Sequence, residues 1–180
     1  MVQLSPAPVP TRKDESRSHR GPIGSRMFWA VLLGLALVLA ARIWLIAPVV
    51  VASDSMEPTM GEGGVALLLK PGPDPGKVSA GTVVVFPHPE DGSTTVKRVV
   101  ATGGQSVEIR DALLFVDGQE VAEPFVDHSR IDGTWFGPAE VPQGHVFVMG
   151  DNRGVSVDSR HFGTVPAEDL EAAVLLPPWK

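Results

Sequence analysis

The chain has no cysteine, so neither a disulfide framework nor thiolate chemistry is open to it. That absence leaves its compartment undecided. It also has no Walker-type loop, no dinucleotide fingerprint and no metal-ligand spacing, and no cofactor or metal is expected. Cationic clusters are missing from most of its length. After Arg42, nine basic side chains stand against nineteen acidic ones, which argues against nucleic acid, because phosphate binding needs grouped Lys and Arg. No repeat period is visible. Only one long apolar run occurs, and outside it no amphipathic pattern lasts more than about three helical turns.

At 180 residues, the chain suits one domain with appendages. Its net charge of −6 conceals an asymmetry. Residues 1–26 carry Arg12, Lys13, Arg17, Arg20 and Arg26 against Asp14 and Glu15, and their Pro- and Ser-rich, aperiodic composition reads as a disordered tail. Met27 to Ala41 then runs 15 residues without a charge. As a helix it spans about 22 Å, short of a hydrocarbon core of about 30 Å. A cleaved secretory signal, a buried core helix and a membrane anchor all fit such a run. The anchor becomes long enough if Arg42 snorkels to the interface and Ile43 to Ile46 extend the helix beside Trp44. It is the favoured reading, because a hydroxyl-rich turn follows too closely for upstream cleavage to leave a sensible domain start. The expected organisation is a cytoplasmic basic tail over 1–26, a transmembrane anchor over 27–46 and an extracytoplasmic domain over 47–180, oriented by the positive-inside rule.

Beyond Pro48, which should stop the helix, the pattern is of short strands. Val49–Val51, Val65–Leu69, Thr82–Phe86, Thr95–Val100, Val107–Arg110, Leu113–Val116, His145–Met149 and Ala172–Leu176 read as strands, with another near Val121. Asp111-Ala112 and Asp117-Gly118 are hairpin turns, the latter the strongest type I′ signal in the chain. Glu168–Ala173 is compatible with a short helix. The 19 glycines and 17 prolines favour a loop-rich, mainly β body.

Three clusters could carry chemistry. In Ser53-Asp54-Ser55-Met56-Glu57-Pro58, Asp54 and Glu57 fit a weak helix cap. The same turn would aim N–H groups at a carbonyl oxygen, with Ser55 as nucleophile and Ser53 as a second donor. Serine needs a base. Histidine is the usual one, but His19, His88, His128, His145 and His161 lack a matched carboxylate motif. Lys97 is the alternative. Alternation puts Thr95, Lys97 and Val99 on one strand face and Val96, Arg98 and Val100 on the other, so one cation should face inward. To serve as base, Lys97 needs a pKa lowered by burial from about 10.4 to about 7–8. Otherwise the pair is a solvated edge. Finally, 150–160 (GDNRGVSVDSR) is either an exposed polar loop or a cross-braced network able to hold a hydroxyl against the amine. It lacks the ladder of a calcium loop.

Taken together, Ser53 to Met60, Val96-Lys97-Arg98-Val99, Gly150-Asp151-Asn152-Arg153 with Ser156, Asp158-Ser159-Arg160 and Phe162-Gly163 resemble, in order and spacing, the bacterial type I signal peptidases. The resemblance covers about Arg42 to Leu176. It implies a mainly β, coiled antiparallel body behind one N-terminal transmembrane helix, in a single-pass protein of the bacterial plasma membrane with its catalytic domain on the outer face. By that resemblance Ser55 is the nucleophile, Lys97 the general base, and Ser53 with the Ser55 N–H the oxyanion hole. Ser156 would orient the amine, Asp158, Arg160 and Arg98 would brace the site, and Val51 and Met56 would line shallow pockets for a small-x-small sequence such as Ala-x-Ala. The implied partners are signal-peptide-bearing preproteins and the lipid bilayer, with the enzyme a monomer and neither metal nor cofactor involved.

The chain departs from the family pattern at three places. Asp54 stands where Gly is usual between the serines, Thr102-Gly103-Gly104-Gln105 replaces a Pro-Gly-Asp turn, and no large extra β-domain fits before Gly150. The alternatives are a maturation protease of the same family dedicated to a few substrates, and an inactive membrane-tethered peptide-binding module. A self-cleaving Ser-Lys repressor would need a helix-turn-helix, which the sequence does not offer.

Overall fold

The structure, a computed structural model, describes residues 23–128 and 135–175, with the backbone alone at 23–26 and 41–43. Most of the expected tail, residues 1–22, therefore lies outside the described residues, as does Leu176. Two compact units part between Leu39 and Ala40. The helix α1 (Ile23–Leu45) shows no amphipathic period, and its residues 27–40 carry no charge. It starts a turn earlier than the charge-free run and ends before Ile46. Among the described residues, no helix is long and apolar enough to cross a membrane.

The second unit is built of short antiparallel strands, β1 (Ile46–Val50), β2 (Val65–Leu69), β3 (Val83–Pro87), β4 (Thr94–Thr102), β5 (Ser106–Arg110), β6 (Leu113–Val116), β7 (Gln119–Glu120), β8 (Phe136–Glu140), β9 (His145–Met149), β10 (Val165–Pro166) and β11 (Ala172–Leu175). A seven-stranded sheet runs β1-β2-β11-β3-β4-β9-β10, and a four-stranded sheet runs β7-β6-β5-β8. Pro48 does not simply close the helix. It sits inside β1, opposite Leu67, where an edge strand tolerates a missing N–H donor. Several elements carry no clear sequence signal. β8 contains Gly137-Pro138, β10 contains a proline, and α2 (Ser159–Phe162) is a single turn. The short helix expected from Glu168 is a 3₁₀ turn at Ala167–Asp169.

Side chains alternate across β3. Val83 and Val85 enter one buried cluster with Val51, Met56 and Leu68, while Val84 and Phe86 enter a second with Val99, Val146 and Val148. β9 likewise divides its residues, sending Phe147 and Met149 into a third cluster with Val107, Ile109 and Leu114. The large sheet is thus curled and covered on both faces, so its central strands read as continuous apolar runs. This overturns the expectation that only one of Lys97 and Arg98 faces inward. Both are buried, each 5 % exposed, because neither face of β4 meets solvent there. A register shift against β9 between Val99 and Ala101 marks a bulge. Val100 and the adjacent Ala101 consequently both enter the third cluster.

Both expected hairpin turns form. Asp111 and Ala112 have φ of 51° and 66°, and Asp117 and Gly118 have φ of 53° and 76°, the left-handed pairs that type I′ turns require. The Asp117 carboxylate accepts from Ser106 N at 2.8 Å and Gln105 Nε2 at 3.1 Å, fastening the second hairpin to β5. The segment after β7 is tied to the loop after β9 by a buried ion pair, with Arg153 Nη1 2.6 Å from Glu123 Oε2. Removing one partner would strand the other charge in the interior. Glu123→Ala is therefore expected to lower unfolding free energy in urea by about 3–5 kcal/mol, while Glu123→Leu with Arg153→Met recovers most of that loss.

Candidate active site

The segment after β1 continues extended to Val51, whose N–H donates to Gly64 O at 2.8 Å and whose carbonyl accepts from Gly63 N at 2.9 Å. The chain then turns sharply, with Glu57 N bonded to Asp54 O at 3.0 Å and Met60 N to Met56 O at 2.9 Å. Met56, 1 % exposed, anchors this turn in the first core cluster and leaves Ser55 at the rim of a cleft. The loop after β9 holds the turn from behind. Asn152 donates its N–H to Ser55 O at 3.1 Å and its side-chain amide to Asp54 O at 3.2 Å. Gly150 packs closely enough that a Cβ there would lie 2.3 Å from Ser156 Oγ and 2.5 Å from Ser55 O.

Lys97 comes from β4, opposite Val84 of β3, and reaches across the cleft floor. Its Nζ lies 2.9 Å from Ser55 Oγ, and Ser53 Oγ lies 3.2 Å from the same atom. Burial pushes the Lys97 pKa below 10.5, helped by the nearby Arg160 cation and opposed by Asp158, Asp151 and Asp54. Asp158 behaves in the opposite sense. Burial alone would raise its pKa, but the Arg160 guanidinium, the Gly150 N–H and Ser156 together hold it below 3.8. Arg160 Nε donates to Asp158 Oδ1 at 2.8 Å and Gly150 N to Oδ2 at 3.0 Å. Asp158 also caps α2 through Arg160 N at 3.2 Å. Ser156 is buried beside this carboxylate, yet its Oγ has no hydrogen bond of good geometry, to Lys97 or to anything else among the described residues.

Arg98, next along β4, leaves the amine and grips the Asp151 carboxylate, with Nε 2.8 Å from Oδ1 and Nη2 2.6 Å from Oδ2. Its Nη1 donates to Gly81 O at 2.8 Å, and its guanidinium lies 3.9 Å over the Phe125 ring. Asp151 in turn accepts from the hydroxyl of Thr59, on the far end of the Ser55 turn. The four residues Gly150, Asp151, Asn152 and Thr59 are thus structural parts of the site that the sequence offered only as members of motifs, without individual roles. The polar density of 150–160 was the available signal, but partners 92 and 98 positions away in the chain cannot be read from it.

Ser53, Ser55, Lys97, Val51 and Met56 all line one cleft of about 460 Å³. Ser156, Asp158 and Arg160 lie behind the amine, and Arg98 braces the turn through Asp151. His88 lines the same cleft, but among the described residues no histidine hydrogen-bonds to Ser55. His161 instead accepts from Asp158 N at 3.3 Å at the start of α2. No group of three potential metal ligands occurs among the described residues. A hydroxyl at hydrogen-bond distance from a shielded amine can pass its proton to that amine and attack an electrophilic carbon.

The model of the family described as "Signal peptidase, peptidase S26" matches residues 25–179. Fold and match together define a serine endopeptidase, a hydrolase of peptide bonds. The chain belongs to the bacterial type I signal peptidase family, whose activity is the removal of signal peptides from preproteins. It is 33% identical over 140 residues to signal peptidase I of Bacillus licheniformis, covering 73% of this chain and 75% of that one. Against the Bacillus caldolyticus signal peptidase I it is 30% identical over 176 residues, covering 91% and 92%. A crystal structure of an Enterococcus faecalis signal peptidase I is similar with a TM-score of 0.50 at 28% identity, over 55% of this chain and 97% of that one.

The buried amine has a consequence for stability. A cation whose folded pKa is lowered binds its proton more weakly in the folded chain than in the unfolded one. Folding therefore carries a cost that is full below the folded pKa and disappears as pH rises to 10.5. Lys97→Met should unfold at a higher temperature than the wild type near neutral pH, and the gap should narrow towards pH 10.5 when melts are compared across that range.

Proposed function

We propose that this signal peptidase cleaves by a Ser-Lys dyad, with Ser55 as nucleophile and Lys97 as general base. The observation that carries this reading is the 2.9 Å approach of a buried lysine Nζ to a serine Oγ in a cleft. Neutral Lys97 takes the Ser55 proton as Oγ bonds to the carbonyl carbon of the substrate. The oxygen that becomes negative is met by the Ser55 N–H and the Ser53 hydroxyl. Collapse breaks the C–N bond, and the departing amine takes the proton from Lys97. Water then attacks the acyl ester, giving its proton to Lys97, and Ser55 Oγ recovers a proton as the acid leaves.

Burial lowers the proton affinity of the base, and the supporting groups hold it in place. Asp158 with Arg160 forms a nearly compensated pair behind the amine. Arg98, through Asp151, fixes the turn, and buried Ser156 offers a hydroxyl on the amine's side of the site. Val51 and Met56, both buried in the cleft wall, leave pockets shallow enough for small side chains, which suits cleavage after Ala-x-Ala-like sequences. No cofactor or metal has a role. Residues 27–46 anchor the chain in the plasma membrane, with 1–26 in the cytoplasm and 47–180 on the outer face, and the enzyme works as a monomer. The charge-free run and the basic residues before it support this topology, and the exposed Val50, Val65 and Leu67 suit a body lying on lipid.

Incubated with a preprotein in detergent, Ser55→Ala and Lys97→Ala are each expected to lower kcat by about 10³-fold or more, as loss of a nucleophile or its base does elsewhere. Ser53→Ala should cost about 10²-fold in kcat with KM nearly unchanged. Full cleavage by Lys97→Ala would remove the dyad. In the wild type, kcat/KM should rise with pH as the Lys97 ammonium loses its proton, with a midpoint below 10.5.

A further inference from the structure

Among the described residues, Asp54 is the one carboxylate lining the cleft, whose wall is otherwise mostly Val, Ala and Met. The remaining ionisable groups there are Lys97 and His88. Its main chain is immobilised, since Asp54 O accepts from Glu57 N at 3.0 Å and from Asn152 Nδ2 at 3.2 Å. The side chain, in contrast, is exposed, and no hydrogen bond or ion pair engages its carboxylate among the described residues. An unengaged carboxylate thus hangs from the residue next to Ser55, in the lining of the cleft that holds the proposed nucleophile.

Resting on the Ser55–Lys97 reading, we propose that Asp54 is a specificity-determining residue, which favours a Lys or Arg immediately after the scissile bond and disfavours Asp or Glu there. Geometry selects that position. Substrate residues that enter the shallow pockets must be small, and in an extended chain the side chain between them points away from the pocket wall. The first residue after the bond is free of that restriction, and one extended residue advances only about 3.3 Å. A charge there lies well inside the roughly 8 Å screening length of physiological salt. Because the carboxylate is exposed, the interaction is modest and most visible at low ionic strength.

The same carboxylate acts on the base. Among the described residues, the charged groups acting on the Lys97 amine are Asp54 from the turn, Asp151 and Asp158 from the loop after β9, and Arg160 from α2, and the titratable His88 lines the same cleft. Asp54 favours the ammonium that forms as Ser55 gives up its proton, so removing it makes protonation harder.

The test uses the full-length protein in detergent and matched peptides with Lys, Gln or Glu directly after one cleavable Ala-x-Ala site. The wild type is expected to prefer Lys over Glu on the order of tenfold in kcat/KM at low ionic strength, with the ratio shrinking in about 1 M salt. Asp54→Asn should bring the ratio close to one and shift the rising limb of the pH profile to lower pH. Asp54→Ser provides a second neutral variant if Asn misfolds, and Glu168→Gln, a carboxylate outside the cleft, keeps the wild-type ratio. An unchanged ratio in the Asp54 variants, or no preference in the wild type, overturns the proposal while leaving the dyad intact. Failure of the wild type to cut any of the peptides or a preprotein overturns the dyad reading, and this inference with it.

Discussion

The rest of the structure depends on keeping one lysine amine out of water beside one serine hydroxyl. An ammonium in a mostly apolar wall is costly, and the fold meets that cost by depressing the amine's proton affinity rather than by giving it a counter-ion of its own. Asp158 is the carboxylate that most favours the ammonium, but Arg160 occupies both its oxygens. The amine consequently feels a pair of opposing charges, with burial as the larger influence. A lone carboxylate in that place would have favoured the ammonium more strongly, and a lone guanidinium would have been harder to bury.

This economy explains why the large sheet is covered on both faces. A half-solvated β4 could have buried Lys97 while leaving Arg98 in water. Here the neighbouring cation is buried as well and put to structural use, clasping Asp151 and so Thr59 at the end of the Ser55 turn. Adjacent residues of one strand therefore serve opposite needs. One is kept short of hydrogen-bond partners, as the proposed base has to be. The other is saturated with partners and rigid.

Much of this was legible in the sequence, unevenly. Apolar runs such as Val83–Phe86 and His145–Met149, and the turns at Asp111-Ala112 and Asp117-Gly118, announced their strands because local chemistry fixes them. β8 was not legible, since Gly137-Pro138 signals a break and only pairing with β5 makes it a strand. The alternation rule misassigned one of the two β4 cations because it presumes a wet face, and that face is dry only through residues distant in sequence. Ser55, Ser53 and Lys97 were candidates from the residues alone, but spacing also fits a helix cap and a solvated edge, and a resemblance decided between them and assigned roles to the residues behind. Their meeting in one cleft is a product of topology. Asn152 and Asp151 were visible as polar density, but not as clamps.

The clamp that Asn152 makes has an evolutionary reading. It grips main-chain carbonyls, so it is indifferent to which side chain residue 54 carries. Replacements at 54 can thus accumulate without dislodging the neighbouring hydroxyl. With Ser55 as the proposed nucleophile and residue 54 as the proposed selector, this arrangement lets descendants of one peptidase diverge in taste while retaining a common chemistry.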